Sequence, residues 1–430
     1  MSQKHISVDY LARVEGEGAI DITVSDGRVS ESRFAIFEPP RLFEAFLVGR
    51  TFQELPDLVP RICGICPVAY QMSGVHAAEY AFGVSIDERT RRLRRLLYCG
   101  EWLESHLLHM FMLAAPDFLG YGSIISMIKD FPTEVERGLS MKRLGNDIVD
   151  LLGGRAINPV GVRVGGFHKP PTKSDMDRLA ERLKHGKEQA LETVKWMSGF
   201  PLPDNSHDME FVSLSHPSEY PMNEGRVVSS KGMDIPVDEF EQHFVEHQVP
   251  YSNALQATGK EGRPYFVGPL ARVNLNFEKL SPDAQAAARD SGVTFPSSNS
   301  FSSIIARAVE VVHCIDEALQ IATSYEPPPY PGPLVIPRAG RGAALTEAPR
   351  GSLYHRYDFD EQGIIRKAVL IPPTAQNQLQ IEKDLEVYVP KVIDRPLDEA
   401  RHQCEMLVRN YDPCISCSTH SVKVRIHREN

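Results

Sequence analysis

Two pairs of cysteines stand near opposite ends of this 430-residue chain: Cys63-Gly64-Ile65-Cys66 and Cys414-Ile415-Ser416-Cys417. Thiols three residues apart, with His420 three beyond the second pair, form a soft-ligand cluster. In a reduced chain the foremost use of such a cluster is metal binding. If the four thiolates meet at one metal, both chain ends must fold together around it. Structural zinc sites usually join pairs about 15 to 20 residues apart. These pairs are separated by most of the chain, which points to a buried site in the middle of the fold; a zinc-stabilised scaffold is the bland alternative.

The other cysteines, Cys99, Cys314 and Cys404, sit singly in helical patterns and read as buried, inert thiols. Seven cysteines in all, an odd number, do not suggest a disulfide framework. A net charge of −10 without a basic block argues against nucleic acid as a partner. Met1 to Tyr10 lacks the basic and apolar regions of a signal peptide, and no apolar run reaches the roughly 18 residues of a membrane span. A cytoplasmic location is therefore expected.

Residues 5–37 alternate apolar and polar around Asp26-Gly27, a hairpin signal. Arg13-Val14-Glu15-Gly16-Glu17-Gly18 sets carboxylates beside glycines, where backbone can come close to a neighbour. From Pro40 the spacing is helical, with Glu44 inside an apolar stripe of Leu42, Phe43, Phe46 and Leu47. The first cysteine pair opens a helix to about Phe82, with Pro67 in its first turn. A long helix is predicted over 87–115, ending at Pro116-Asp117, and two more over 135–152 and 174–198. His106 and His109 share a face of the long helix and read as hydrogen-bonded core residues.

Residues 199–297 look mixed and peripheral, with strand-like runs at 264–267 and 273–277. Helix returns over 301–321, and a proline-rich loop follows from Glu326 to Pro337. A second hairpin spans 343–372, and a final helix runs from Pro396 towards Asp412. The fold class is α+β and predominantly α-helical. One domain over 1–430 would hold a central bundle of long helices, small flanking antiparallel β elements, and a metal site between the N- and C-terminal segments.

With these motifs in place the chain resembles the large subunit of [NiFe] hydrogenases. The resemblance rests on Arg61-Ile62-Cys63-Gly64-Ile65-Cys66-Pro67 and on Asp412 to His420. Further family elements fall in order at Arg13 to Gly16, Arg41 to Glu44, Ser105 to Asp117, Gly153 to Gly166, Glu347 to Gly351, and Pro373 to Asn377. The first motif and the short length look most like the bidirectional NAD(P)-linked or sulfhydrogenase branch. Tyr70 stands where the family usually has histidine and reads as a mark of that branch.

The resemblance implies a catalyst of reversible H2 oxidation. Cys63 and Cys414 would be terminal ligands of nickel, and Cys66 and Cys417 would bridge it to an iron carrying one CO and two cyanides, Fe(CO)(CN)2. Glu15 would accept a proton from Cys414. Arg350 would stand above the open metal position, held by Asp117 and Asp412. Pro373 and Thr374 would line the cyanides, with the Thr374 hydroxyl bonding one of them. Glu44, His420 and the backbone carbonyl near Leu370 would hold Mg2+.

Splitting H2 heterolytically also needs a base, for which either a nickel thiolate or a desolvated Arg350 is available. No further CxxC and no GxGxxG after a strand is present, so the iron-sulfur clusters and flavin would lie on partner chains. Those partners would be a small subunit with a [4Fe-4S] cluster and NAD(P)-reducing diaphorase subunits. The rival from this family, a non-catalytic respiratory-complex subunit, is disfavoured by the four intact cysteines. Family precursors commonly carry a tail that is removed on maturation; Ser421 to Asn430, with Val422, Val424 and Ile426 alternating like a strand, is either such an extension or a tail that this member keeps.

Overall fold

The first strand, β1 (Gln3–Val8), pairs antiparallel with β2 (Gly18–Ser25), which pairs in turn with β3 (Arg28–Ile36). Asp26 and Gly27, both with left-handed backbone angles (φ 51° and 79°), make the predicted turn between β2 and β3. The hairpin is thus part of a three-stranded meander. This is a computed structural model, and it describes residues 3–328, 330 and 332–421. The strand-like pattern at 422–426 lies outside the described residues.

Helix α1 (Phe43–Leu47) is a short turn, and α2 (Pro67–Phe82) begins at the proline after Cys66, as predicted. Next comes α3 (Glu88–Leu107), capped by the Asp87 side chain, which accepts the Thr90 N–H. The helix predicted to continue to residue 115 instead widens into a π-helical segment, Leu108–Ala114, before α4 (Ala115–Leu119). Pro116 has no N–H to continue an α-helical ladder, and the wider turn ahead of it is where the regular helix gives way.

The two other predicted helices are α5 (Pro132–Gly153) and α6 (Lys173–Met197); α6 opens with a Thr172/Asp175 capping box. A two-stranded ribbon follows, β4 (Phe244–Gln248) with β5 (Leu255–Gly259). The run at 273–277, expected as strand, falls mostly in helix α7 (Pro269–Asn276), which starts at a proline and buries Leu270, Ala271 and Val273. Helix α8 (Ser303–Thr323) then packs on α6 and α3, while α3 packs on α5. These four long helices are the expected central bundle.

Strands β6 (Gly340–Ala348), β7 (Gly351–Phe359) and β8 (Ile365–Ile371) form a second meander, with β6 and β7 lying on α2. Sequence reasoning missed α9 (Pro373–Val392), although Pro373 occupies its first turn and Ile381, Leu385, Tyr388, Val389 and Val392 are buried at helical spacing. Helix α10 (Leu397–Asn410) packs on α9 and delivers the chain to α11 (Ile415–Ser418), the turn that carries the last cysteine. One continuous apolar core runs from the first meander through the bundle to α11; a smaller one joins residues 212–267 to the second meander. His106 and His109 are buried as expected, bonded to Glu310 and to the Arg409 carbonyl, and Cys99, Cys314 and Cys404 are buried free thiols.

Candidate metal centre

Cys66 is the N-cap of α2 and Cys414 the N-cap of α11, so two helix starts bring one thiol from each pair to the same place. The four sulfurs lie within 4.8 Å of one another, and every one of these residues is at most 4% exposed. Cys63 Sγ is 3.4 Å from Cys414 Sγ, and Cys66 Sγ is 4.0 Å from Cys417 Sγ. Cys63 Sγ also accepts the N–H groups of Ile65 and Cys66, an arrangement suited to a thiolate.

The chain ends are tied by backbone as well as by thiols. Glu15 and Cys414 form a parallel bridge in which the Ile415 N–H donates to the Glu15 carbonyl (2.9 Å). Beside it, Gly16 has φ +90°, and a Cβ there would lie 2.6 Å from the Ile415 Cβ, so only glycine allows this approach. The Arg41 N–H donates to the Thr419 carbonyl, and the Arg41 guanidinium donates to the carbonyls of Ile62 and Ser416. One side chain thereby spans both cysteine motifs.

Burial pushes the thiols of Cys414, Cys66 and Cys417 up from their ordinary value. Burial opposes ionisation of Cys63 too, but hydrogen bonds from the other thiols and the charge of Arg350 outweigh it and hold Cys63 well below. Burial disfavours four bare thiolates side by side, and a cation that replaces their protons would offset that cost.

Arg350 occupies the two-residue turn between β6 and β7. Its Nε donates to the Asp412 carbonyl (2.8 Å) and its Nη2 to Asp412 Oδ1 (3.0 Å), while Nη1 is buried without a partner. Burial opposes its charge, but Asp412 and the neighbouring thiols prevail and push its pKa up. Asp117 does not hold Arg350 among the described contacts. The π-helical turn directs Asp117 to Arg409, which grips both carboxylate oxygens (2.7 and 3.0 Å), and to Arg13.

Glu15 Oε2 lies 3.1 Å from the Cys414 sulfur and accepts the Ser416 N–H at 3.1 Å. Pro373 starts α9 and sets Thr374 beside the cysteines, where Thr374 Oγ1 accepts the Cys414 N–H (2.9 Å). With its oxygen so engaged, the hydroxyl proton is available for another acceptor.

A second cluster joins Glu44, Glu246 and His420, whose ligand atoms also lie within 4.8 Å of one another. The His420 Nδ1 is 3.2 Å from the Cys417 carbonyl, which favours the tautomer with Nε2 as the lone-pair nitrogen. That Nε2 is 3.4 Å from Glu246 and 3.8 Å from Glu44. The Leu370 N–H donates to Glu44 (2.8 Å). Because N–H and C=O of one antiparallel-strand residue point to the same side, the Leu370 carbonyl lies on the Glu44 side of its strand.

Glu246 was missed. It comes from β4, in the stretch read as peripheral, and its signal was a carboxylate two residues after Phe244 on the inward face of a strand.

The family model for nickel-dependent hydrogenases matches residues 41–136 and 237–420, which hold both cysteine pairs. Sulfhydrogenase 1 subunit alpha of Pyrococcus furiosus is 32% identical over 427 residues, covering 97% of this chain and 98% of its own. The chain belongs to the nickel-dependent hydrogenases. Sulfhydrogenase 2 subunit alpha of the same organism is also 32% identical, over 97% of this chain and all of its own. A crystal structure of an NAD+-reducing [NiFe]-hydrogenase in the H2-reduced state superposes with a TM-score of 0.87 at 26% identity, covering 97% of this chain and 99% of that one. A Ni-Fe-Se hydrogenase from D. vulgaris Hildenborough shares the fold (TM-score 0.80, 22% identity, 97% and 100% covered).

As a member of that family this chain is the large, catalytic subunit of a [NiFe] hydrogenase, an oxidoreductase acting on H2. The donor set fits nickel and iron: four buried soft sulfurs lie within 4.8 Å of one another, with a buried arginine nearby that has one unpartnered NH2 group.

Proposed function

We propose that this hydrogenase cleaves H2 heterolytically and reversibly, with the proton leaving through Cys414 and Glu15. The observation that carries this reading is the 3.1 Å contact between the Cys414 sulfur and Glu15 Oε2 at the edge of the thiol cluster. Bound there, nickel and an iron with one CO and two cyanides would supply the Lewis acidity and the redox chemistry, with Cys63 and Cys414 terminal and Cys66 and Cys417 bridging.

The chain's own residues then divide the remaining work. Of the two available bases, Arg350 is held cationic by Asp412, whereas the Cys414 sulfur has a carboxylate already within hydrogen-bond reach. Arg350 instead offers its free Nη1 as a fixed donor over the reaction space, where a buried, preoriented dipole acts strongly. The free proton of the Thr374 hydroxyl suits a cyanide nitrogen. Glu44, His420 and the Leu370 carbonyl, with Glu246 beside them, form an oxygen-rich pocket with one imidazole, suited to Mg2+.

The electrons need an exit, and the three remaining cysteines, Cys99, Cys314 and Cys404, are too few for the four-thiolate ligation of an iron-sulfur cluster. The likeness to alpha subunits of sulfhydrogenases and to an NAD+-reducing enzyme supports a small subunit bearing a [4Fe-4S] cluster, with flavin-bearing diaphorase subunits passing the electrons to NAD(P). None of the described helices is long and apolar enough to cross a membrane, which is compatible with a cytoplasmic assembly.

The test is an infrared spectrum of the complex purified from its native host, taken where metal-bound CO and cyanide absorb, with metal analysis on the same sample. One CO band and two cyanide bands with nickel and iron are expected. Zinc on the four cysteines and an empty spectrum would refute the reading.

A further inference from the structure

Beneath the Pro349–Arg350 turn lies a buried charge cluster that the mechanism above leaves unused. Arg272, on α7, is 0% exposed and has a partner for each of its five N–H groups. Nε and Nη2 grip Glu310 of α8 at 2.7 and 2.8 Å. Nη1 reaches Glu347 Oε2 (3.2 Å) and the Ala348 carbonyl (2.9 Å), and Nη2 reaches the Pro349 carbonyl (3.1 Å). The guanidinium stacks 4.2 Å over Trp102, whose Nε1 donates to the Glu347 carbonyl. Tyr220 and His106 secure Glu310 from the other side, at 2.7 and 2.8 Å.

Every backbone carbonyl from 347 to 349 is thus held by this cluster, and the next residue is Arg350. The Arg350 side chain itself has one anchor, Asp412, and a long flexible stem. Where its guanidinium stands therefore depends on where its backbone is fixed. α7 also abuts that backbone directly: a Cβ on Gly268, the residue before α7, would come within 2.9 Å of the Arg350 carbonyl. Helix α8 steadies the opposite partner as well, since Arg307, one turn before Glu310, donates to the Asn410 carbonyl at 3.0 Å, two residues ahead of Asp412.

A cluster of this kind is an expensive way to gain stability, because well-packed apolar side chains commonly do as well as a buried ion pair or better. What it provides is orientation. We propose that Arg272 is a positioning residue of the hydrogenase reaction: by holding the Ala348 and Pro349 carbonyls, it sets the Arg350 guanidinium against Asp412 and the four thiolates. The inference rests on the hydrogenase reading above.

The test is Arg272→Lys, which keeps the charge but not the five-bond fork. Glu310→Gln serves as a second variant, retaining shape while weakening the grip on Arg272. Both are purified with their partner subunits and compared with wild type by nickel and iron content, infrared bands, and kcat and KM for H2. Expected are wild-type metal content, displaced or broadened CO and cyanide bands, and a kcat per nickel lower by about 10²-fold with KM little changed.

A residue serving stability alone would lower the melting temperature and leave bands and kcat per nickel at wild-type values; that result in either variant overturns the inference. So does failure of both variants to acquire metal while folding normally, which would assign the cluster to assembly. Wild-type protein without CO and cyanide bands would remove the hydrogenase reading itself, and this inference with it.

Discussion

Cys414 and Glu15 meet twice, through the 3.1 Å contact of sulfur with carboxylate and through the backbone bridge that joins their segments. The bridge fixes the Glu15 backbone beside Cys414, and the Ser416 N–H holds the carboxylate itself, at 3.1 Å.

Glu15→Gln removes a proton acceptor while preserving the backbone bridge and the side-chain volume. H2 oxidation with an artificial dye should fall by about 10²- to 10⁴-fold, with nickel and iron content unchanged. Retention of wild-type turnover would move the proton route elsewhere.

Asp117 and Asp412 should part company on mutation, although sequence reasoning gave them one task. Asp117→Asn weakens the hold on Arg409, which keeps the partly exposed Glu405, and on Arg13, so a destabilisation of about 1–3 kcal/mol is expected in thermal or denaturant unfolding. Asp412→Asn loosens Arg350, so turnover per nickel should drop at least about tenfold. Equal effects of the two variants on turnover and on stability would contradict the separate pairing seen here.

The Glu44, Glu246 and His420 cluster should make the wild-type protein sensitive to chelation. At a cation concentration about 100 times its Kd, binding contributes roughly 2.7 kcal/mol, and a strong chelator should lower the melting temperature accordingly. Glu246→Gln should melt lower at the outset and respond little to chelator. A wild-type melting temperature indifferent to both chelator and added Mg2+ would count against a cation there.

His207 links pH to the segment before Asp412. Its Nε2 lies 2.8 Å from Asp384 Oδ1, and Asp384 Oδ2 accepts the Tyr411 hydroxyl at 2.8 Å. The bond to Asp384 outweighs burial and raises the histidine above its ordinary pKa. A raised pKa means stabilisation that is complete below the unfolded value, about 6.5, and lost as pH climbs through the folded one. The stability gap between wild type and His207→Gln should therefore be widest in acid and close above neutrality in urea titrations at several pH values. A gap that widens with pH would reverse the sign of this linkage.

Local chemistry made much of this protein legible in one dimension. The two cysteine pairs, the Asp-Gly turn, Pro67 behind Cys66 and the long apolar periodicities each act through neighbours a few residues away, so residue order alone determined them. The long-range features were decided by packing. The Leu108–Ala114 segment has the composition of an ordinary helix, and its π geometry arises where the bundle helix must end ahead of Pro116. That turn sends Asp117 to Arg409, a residue 292 positions away, and leaves Arg350 to Asp412. Glu246 reaches His420 because the ribbon from the supposed edge of the molecule folds over the C-terminal turn. Arg272 is one more charged residue in the sequence; three-dimensional convergence of α3, α7, α8 and β6 makes it the buried support of the Arg350 turn. Residue types and spacings determined which groups could do chemistry, because ligand softness and turn propensity are local properties. Which groups face each other was decided only when the core closed, because burial forces every charge within it to find a partner.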